Sequence, residues 1–168
     1  MELEIDIEDW PEGDWEDLTA SAALATAQVA TELANPRLVT SVLFTDDETI
    51  QTLNMDWRDK DQPTNVLSFP MLERTDLIHL DPDEGPPEMP PIPLGDIAIA
   101  HGVCAREAAE KNISMRDHTA HLIVHGLLHL AGYDHEISDA DAEAMEEMEV
   151  KVLALLSIAN PYTAITAE

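Results

Sequence analysis

Three imidazoles fall within the eleven-residue run His125-Gly126-Leu127-Leu128-His129-Leu130-Ala131-Gly132-Tyr133-Asp134-His135, at a spacing that suits one divalent metal. On a helix, residues four apart share a face, so His125 and His129 stand as neighbours. Gly132 can take the positive φ that ends a helix, and the turn it permits can bring His135 back toward the other two. Three neutral imidazoles leave a fourth position open, the layout of a catalytic zinc rather than a structural one. Such a metal lowers the pKa of water toward neutrality and polarises a phosphoryl or carbonyl oxygen.

The ligand spacing resembles that of metzincin proteases: two histidines on a helix, a glycine three residues on, and a third histidine three beyond it. Those proteases carry a glutamate, the general base, directly after the first histidine, whereas this chain has Gly126. The site therefore reads as hydrolytic but not proteolytic. His118 and His121 precede the cluster on the same helix. His121, one turn before His125, is either a partner behind the ligands or a packed core residue, and core packing is the expectation. Asp134 reads as an orienting carboxylate or a turn residue, and no general acid is evident.

A net charge of −27 on 168 residues disfavours broad contact with polyanions, so any nucleic-acid footprint must be local. Arg58 and Lys60 form a tight pair, and Arg106, Lys111 and Arg116 lie on the approach to the His helix. An arginine can hold phosphate through two parallel hydrogen bonds and stabilise charge in a transition state. On the residues alone, Arg58 is equally a phosphate clamp or a surface salt bridge. The single Cys104 cannot form an internal disulfide and reads as a small core residue of a protein in a reducing compartment. The N-terminus has no basic, apolar leader, and no stretch approaches a membrane span. A cytoplasmic protein with no membrane partner is expected.

The elements that must position these groups follow from periodicity. Leu3, Ile5 and Ile7 alternate with acids as a half-buried strand. Asp14 should cap an alanine-rich helix running to about Leu33, ended by Asn35-Pro36. Leu38 to Phe44 is a buried strand, and Thr45-Asp46-Asp47-Glu48 opens a short helix through Leu53. Val66 to Phe69 and Leu94 to Ala100 are further strands. Residues 71–93, with six prolines from Pro82 to Pro93, read as one irregular stretch. A helix follows from about Val103 to Lys111. Ser114 with Asp117 caps the His helix, and Ser138 with Asp141 caps a last helix whose core stripe is Met145, Met148, Val152 and Leu155. The expectation is one α+β domain over residues 1–168, with a small sheet of about four strands covered by helices.

The run HGLLHLAGYDH resembles the signature of the YbeY family of bacterial endoribonucleases. Leu53-Asn54, Arg58, Pro63-Thr64-Asn65-Val66-Leu67-Ser68-Phe69 and Leu94-Gly95-Asp96-Ile97 stand in that family's order, so the resemblance spans about residues 50 to 150. It implies a small α+β metalloprotein in which His125, His129 and His135 hold one zinc ion. It also implies cleavage of single-stranded RNA, a part in maturing the 3′ end of 16S rRNA, and a link to ribosome quality control. Arg58 matches the arginine such enzymes need for activity, which favours catalysis over the salt bridge. The proline-rich insertion looks longer than the usual family linker. Two other functions compete: a metal-dependent hydrolase of peptides or small esters, and a non-catalytic ribosome-assembly factor whose metal fastens the turn after Gly132. The acidity suits the last, through a basic ribosomal protein.

Overall fold

Three strands lie parallel, β1 (Glu2–Ile7), β2 (Leu38–Thr45) and β4 (Ile92–Ala100), while β3 (Val66–Pro70) runs antiparallel along the outer side of β4. The sheet order is β1-β2-β4-β3. The computed structural model describes residues 1–83, 90–134 and 138–162. Parallel neighbours need crossover connections, which α1 (Trp15–Val29) provides between β1 and β2. Between β2 and β3 lies α2 (Asp47–Arg58), and α3 (Arg74–Ile78) follows β3. The chain then continues through β4 into α4 (His101–Lys111), α5 (Met115–Leu130) and α6 (Asp139–Leu155). The α+β class and the four-stranded sheet covered by helices are as expected.

The main core lies between one sheet face and α1, α5 and α6, where Leu18, Phe44, Ile97, Ile99, Ile123 and Leu127 are almost wholly buried. The other face carries a smaller cluster of Ile50, Leu67, Ala98 and Ala100 under α2 and the start of α4. Helix α5 packs against α1, α4, α6, β3 and β4 at once, and most residues from His118 to Leu130 are buried. A helix apolar on nearly all sides belongs inside a protein. Histidines on it are held by the whole core.

Several boundaries differ from the expectation. Helix α1 stops at Val29 and a 3₁₀ turn covers Thr31–Leu33. Asp14 makes no side-chain cap there; it pairs instead with Arg116 at 3.1 Å. The cap of α2 is Asp46, which accepts from the Thr49 N–H at 2.7 Å. That helix runs past Leu53 to Arg58, and its stop signal is Asp59 in the left-handed region (φ 59°). Residues 71–93 are not uniformly irregular, since α3 and the first residues of β4 fall within them; residues 84–89, with Pro86 and Pro87, lie outside the described residues. Ser114 and Ser138 cap α5 and α6 as expected, each accepting from the N–H three residues on. On α6, Met145 and Val152 are buried, but Leu155 is exposed and Leu153 takes its place in the core. Ile7 is exposed at the end of its strand, unlike half-buried Leu3 and Ile5.

Candidate active site

The last two turns of α5 present His125 and His129 with their Nε2 atoms 3.0 Å apart and their rings nearly perpendicular, at 79°. Two ligands of one tetrahedral zinc, each at about 2.0–2.1 Å, lie roughly 3.3 Å from one another. The pair is therefore set close to ligating separation. Glu149 of α6, 1% exposed, stands behind it. A carboxylate only accepts, so the His125 Nδ1–H donates to Glu149 Oε2 (3.2 Å) and leaves the Nε2 lone pair facing His129. Ligating histidines in metal sites are held by the same kind of bond.

Glu149 is more than a partner to one ring. Its Oε1 accepts from His121 Nε2 at 2.5 Å and from the Tyr162 hydroxyl at 2.6 Å. Burial pushes this carboxyl up, but the bonds from His121, His125 and Tyr162 outweigh it and hold the group well below the usual carboxylate range. His121 is thus buried, as expected, but it serves as a polar partner of Glu149 rather than as packing alone. Glu149 itself sits within an acidic helix and shows no sign in sequence beyond its one-turn spacing from Met145 and Val152.

The third expected ligand, His135, lies outside the described residues. Among the described residues no three metal-binding side chains converge on one point. What is described is the turn that leads there. Gly132 has φ 99°, and a β-carbon on it would fall 2.7 Å from Arg74 Cβ. Arg74 donates to the Ala131 carbonyl at 2.7 Å and to Glu32 at 2.8 Å, and its guanidinium lies over the Tyr133 ring. Tyr133 in turn donates to Glu32 at 2.8 Å. This lock of Glu32, Arg74 and Tyr133 joins three distant segments, which is why local patterns did not reveal it.

Arg58 ends α2. Its Nη2 donates to the Ser68 carbonyl at 3.0 Å, and its guanidinium lies 5.9 Å from the centre of the Phe69 ring. No carboxylate pairs with Arg58 among the described residues, so the surface salt bridge is not formed there. Buried Asn54 donates to the Gln62 carbonyl at 2.9 Å and pins the loop carrying Lys60. Asn65 is held by Glu107, which also bonds buried His118 at 2.8 Å. Burial keeps the His118 ring below its ordinary pKa, against the pull of Glu107. Cys104 is buried, and burial pushes its thiol far up, as befits an inert core residue.

Arg58, Lys60 and Asn65 line one cleft of about 660 Å³ together with His125 and His129. Asp134 is its one described carboxylate. In a chain of net charge −27, this cleft is a local cationic exception. Arg116 and Arg106 are not among its lining residues; they pair with Asp14 at 3.1 Å and Asp47 at 3.2 Å. At Gly126, a β-carbon would meet Ile97 at 3.1–3.3 Å. A glutamate at that position would crowd the Ile97 side chain.

An open polar cleft with paired imidazoles facing an arginine, on a helix-covered mixed sheet, defines a small α+β hydrolase suited to a phosphate-bearing substrate. The family model described as endoribonuclease YbeY matches residues 5–157. The chain is 61% identical over 162 residues to an endoribonuclease YbeY of Erythrobacter litoralis, covering 96% of this chain and 98% of that one. A Novosphingobium aromaticivorans protein of the same name is 56% identical over 162 residues, covering 95% of each. In structure, the chain resembles the solution structure of a Thermotoga maritima protein, with a TM-score of 0.59 and 25% identity over 92% of this chain and 88% of that one. The chain belongs to the endoribonuclease YbeY family, whose members are hydrolases of RNA phosphodiester bonds. No helix among the described residues is long and apolar enough to cross a membrane.

Proposed function

We propose that this chain is a zinc-dependent endoribonuclease specific for single-stranded RNA, with His125, His129 and His135 holding one zinc ion and Arg58 clamping the scissile phosphate. The reading extends to maturation of the 16S rRNA 3′ end and ribosome quality control in the cytoplasm, with ribosomal proteins as partners and residues 1–168 as a single domain. The observation that carries it is the approach of two imidazole Nε2 atoms, 3.0 Å apart, in the same cleft as Arg58.

The donor set fits zinc. All-imidazole ligation suits it, and the His125–Glu149 bond pre-sets one ring for ligation. Bound there, zinc supplies Lewis acidity toward a phosphoryl oxygen and an activated water. The rest falls to the protein. With one guanidinium nitrogen committed to Ser68, the remaining Arg58 N–H groups can grip two phosphate oxygens and stabilise their growing charge. Lys60 adds a second cation to the rim. Glu107 keeps Asn65 directed along the cleft wall.

The test is elemental analysis together with cleavage of one RNA sequence offered single-stranded and as a duplex, by zinc-loaded and by chelated protein. One zinc per chain and cleavage of the single strand by the loaded protein are expected. Cleavage that survives chelation, or that is equal on the duplex, would overturn the reading.

A further inference from the structure

Trp57 is 71% exposed, although it is one of the largest apolar side chains in the protein. It stands over the sheet face opposite the main core, where α2 ends. Its ring centre lies 6.3 Å from that of half-buried Phe69, at an angle of 59°. Together with Leu43, Leu53 and Met71 the two rings line a cavity of about 730 Å³. That cavity is not separate from the cleft: Arg58, Ser68 and Pro70 line both.

We infer that this aromatic face is a stacking subsite for an unpaired nucleobase of the RNA, adjoining the phosphate held by Arg58. The inference rests on the ribonuclease reading and adds to it a residue, Trp57, and a place for the base. Bases stack on exposed aromatic rings whatever their identity, and an adjacent arginine holds the backbone. Here Trp57 directly precedes Arg58 in sequence, and the Arg58 guanidinium lies beside Phe69.

Charge decides which part of the RNA enters. In register across the sheet, Phe69 is opposite Asp96, Asp96 opposite Ser41, and Ser41 opposite Glu4. The face therefore changes from aromatic and cationic at the β3 edge to acidic at β1, where Asp6 also lines the cavity. A phosphate moved over that floor would be repelled by Asp96 and Asp6. An uncharged base would not, so the backbone stays at Arg58 while the ring turns inward. A basic peptide suits the acidic edge, but to reach the rings it must lie against Arg58. The observations favour the base. A duplex, whose bases are already stacked and paired, cannot use the site without unpairing, which gives a structural source for single-strand preference.

The test compares wild type, W57L and W57F, each zinc-loaded, on a set of single-stranded RNA oligonucleotides in which one nucleotide at a time is made abasic. For wild type, one abasic position next to the cleaved bond should raise KM about tenfold. W57L should raise KM on the intact oligonucleotide by a similar factor, be insensitive to that abasic position, and be largely restored in W57F. Circular dichroism and zinc content matching wild type would show that W57L is folded. If wild type cleaves but W57L has the same KM and the same abasic profile, the stacking site is wrong while the ribonuclease reading stands. If wild type neither cleaves nor binds single-stranded RNA, both fall.

Discussion

Glu149 Oε2 lies 3.2 Å from His125 Nδ1, so a buried carboxylate on α6 sets the tautomer and the aim of an imidazole on α5. Because the carboxylate can only accept, His125 must carry its proton on Nδ1 and offer Nε2 to the cleft. Removing the charge while keeping the shape should weaken that hold. Glu149→Gln is expected to bind zinc about 10–100-fold less tightly, the usual effect of losing such a partner. Competition against a chromogenic chelator measures it. Unchanged affinity would mean that His125 needs no orientation from α6.

Arg58 separates chemistry from scaffolding. Arg58 is exposed and its single described side-chain hydrogen bond goes to the Ser68 carbonyl, so Arg58→Ala should leave zinc content and melting temperature nearly unchanged. Turnover of single-stranded RNA should fall by about 10²–10³, the scale of losing one transition-state donor. Arg58→Lys should also be impaired, since an ammonium cannot reproduce the planar fork. Activity that survives Arg58→Ala would reduce the residue to a surface contact with Phe69.

The lock beneath the Gly132 turn carries a pH signature. Burial pushes the Glu32 carboxyl up, but hydrogen bonds from Arg74 and Tyr133 outweigh it and hold the group below its ordinary value near 4.5. A depressed pKa contributes stability that is present above the ordinary value and lost as the pH falls through the folded one. Wild type should therefore melt higher than Glu32→Gln at neutral pH, with the gap closing progressively below about pH 4.5. Thermal melts across pH 3–7 would show it, and a gap independent of pH would contradict it. At the same turn, Gly132→Ala must accept both the positive φ and the collision with Arg74. A loss of about 1–3 kcal/mol in urea unfolding is expected.

Binding to RNA should depend weakly on salt. With Arg58 and Lys60 as the described cations of the cleft, about two phosphates are neutralised by side chains. The slope of log K against log salt should then be roughly −1.4 for a single strand. A much steeper slope for the protein alone would place RNA on a surface other than this cleft.

The motif that holds the imidazoles could be read from sequence because its information is local: helical spacing, a timed glycine and serine caps that recur in the structure. Alternation and β-branching marked all four strands for the same reason. What sequence did not reveal is long-range. Glu149 meets His125 across 24 positions, and Arg74 meets Glu32 across 42. Neither Glu149 nor Glu32 differs locally from the solvated acids that crowd this chain. Helix α2 runs past the expected end at Leu53 because the polar residues that follow stay helical, with the Asn54 side chain spent on the Gln62 carbonyl. The pairing of Arg116 with Asp14 likewise joins positions far apart in sequence.

The most direct test of the paired imidazoles as the working centre is the rate of cleavage of a defined single-stranded RNA by wild type and by His129→Ala, both supplied with zinc. His129 lies at the end of α5 and is part of the cleft, so its loss should spare the fold while breaking the ligand set. Wild type should cleave, and His129→Ala should be slower by at least about 10³, near the background of buffer and metal alone. Equal rates for the two proteins, at equal folded fraction, would contradict the metal-centred account.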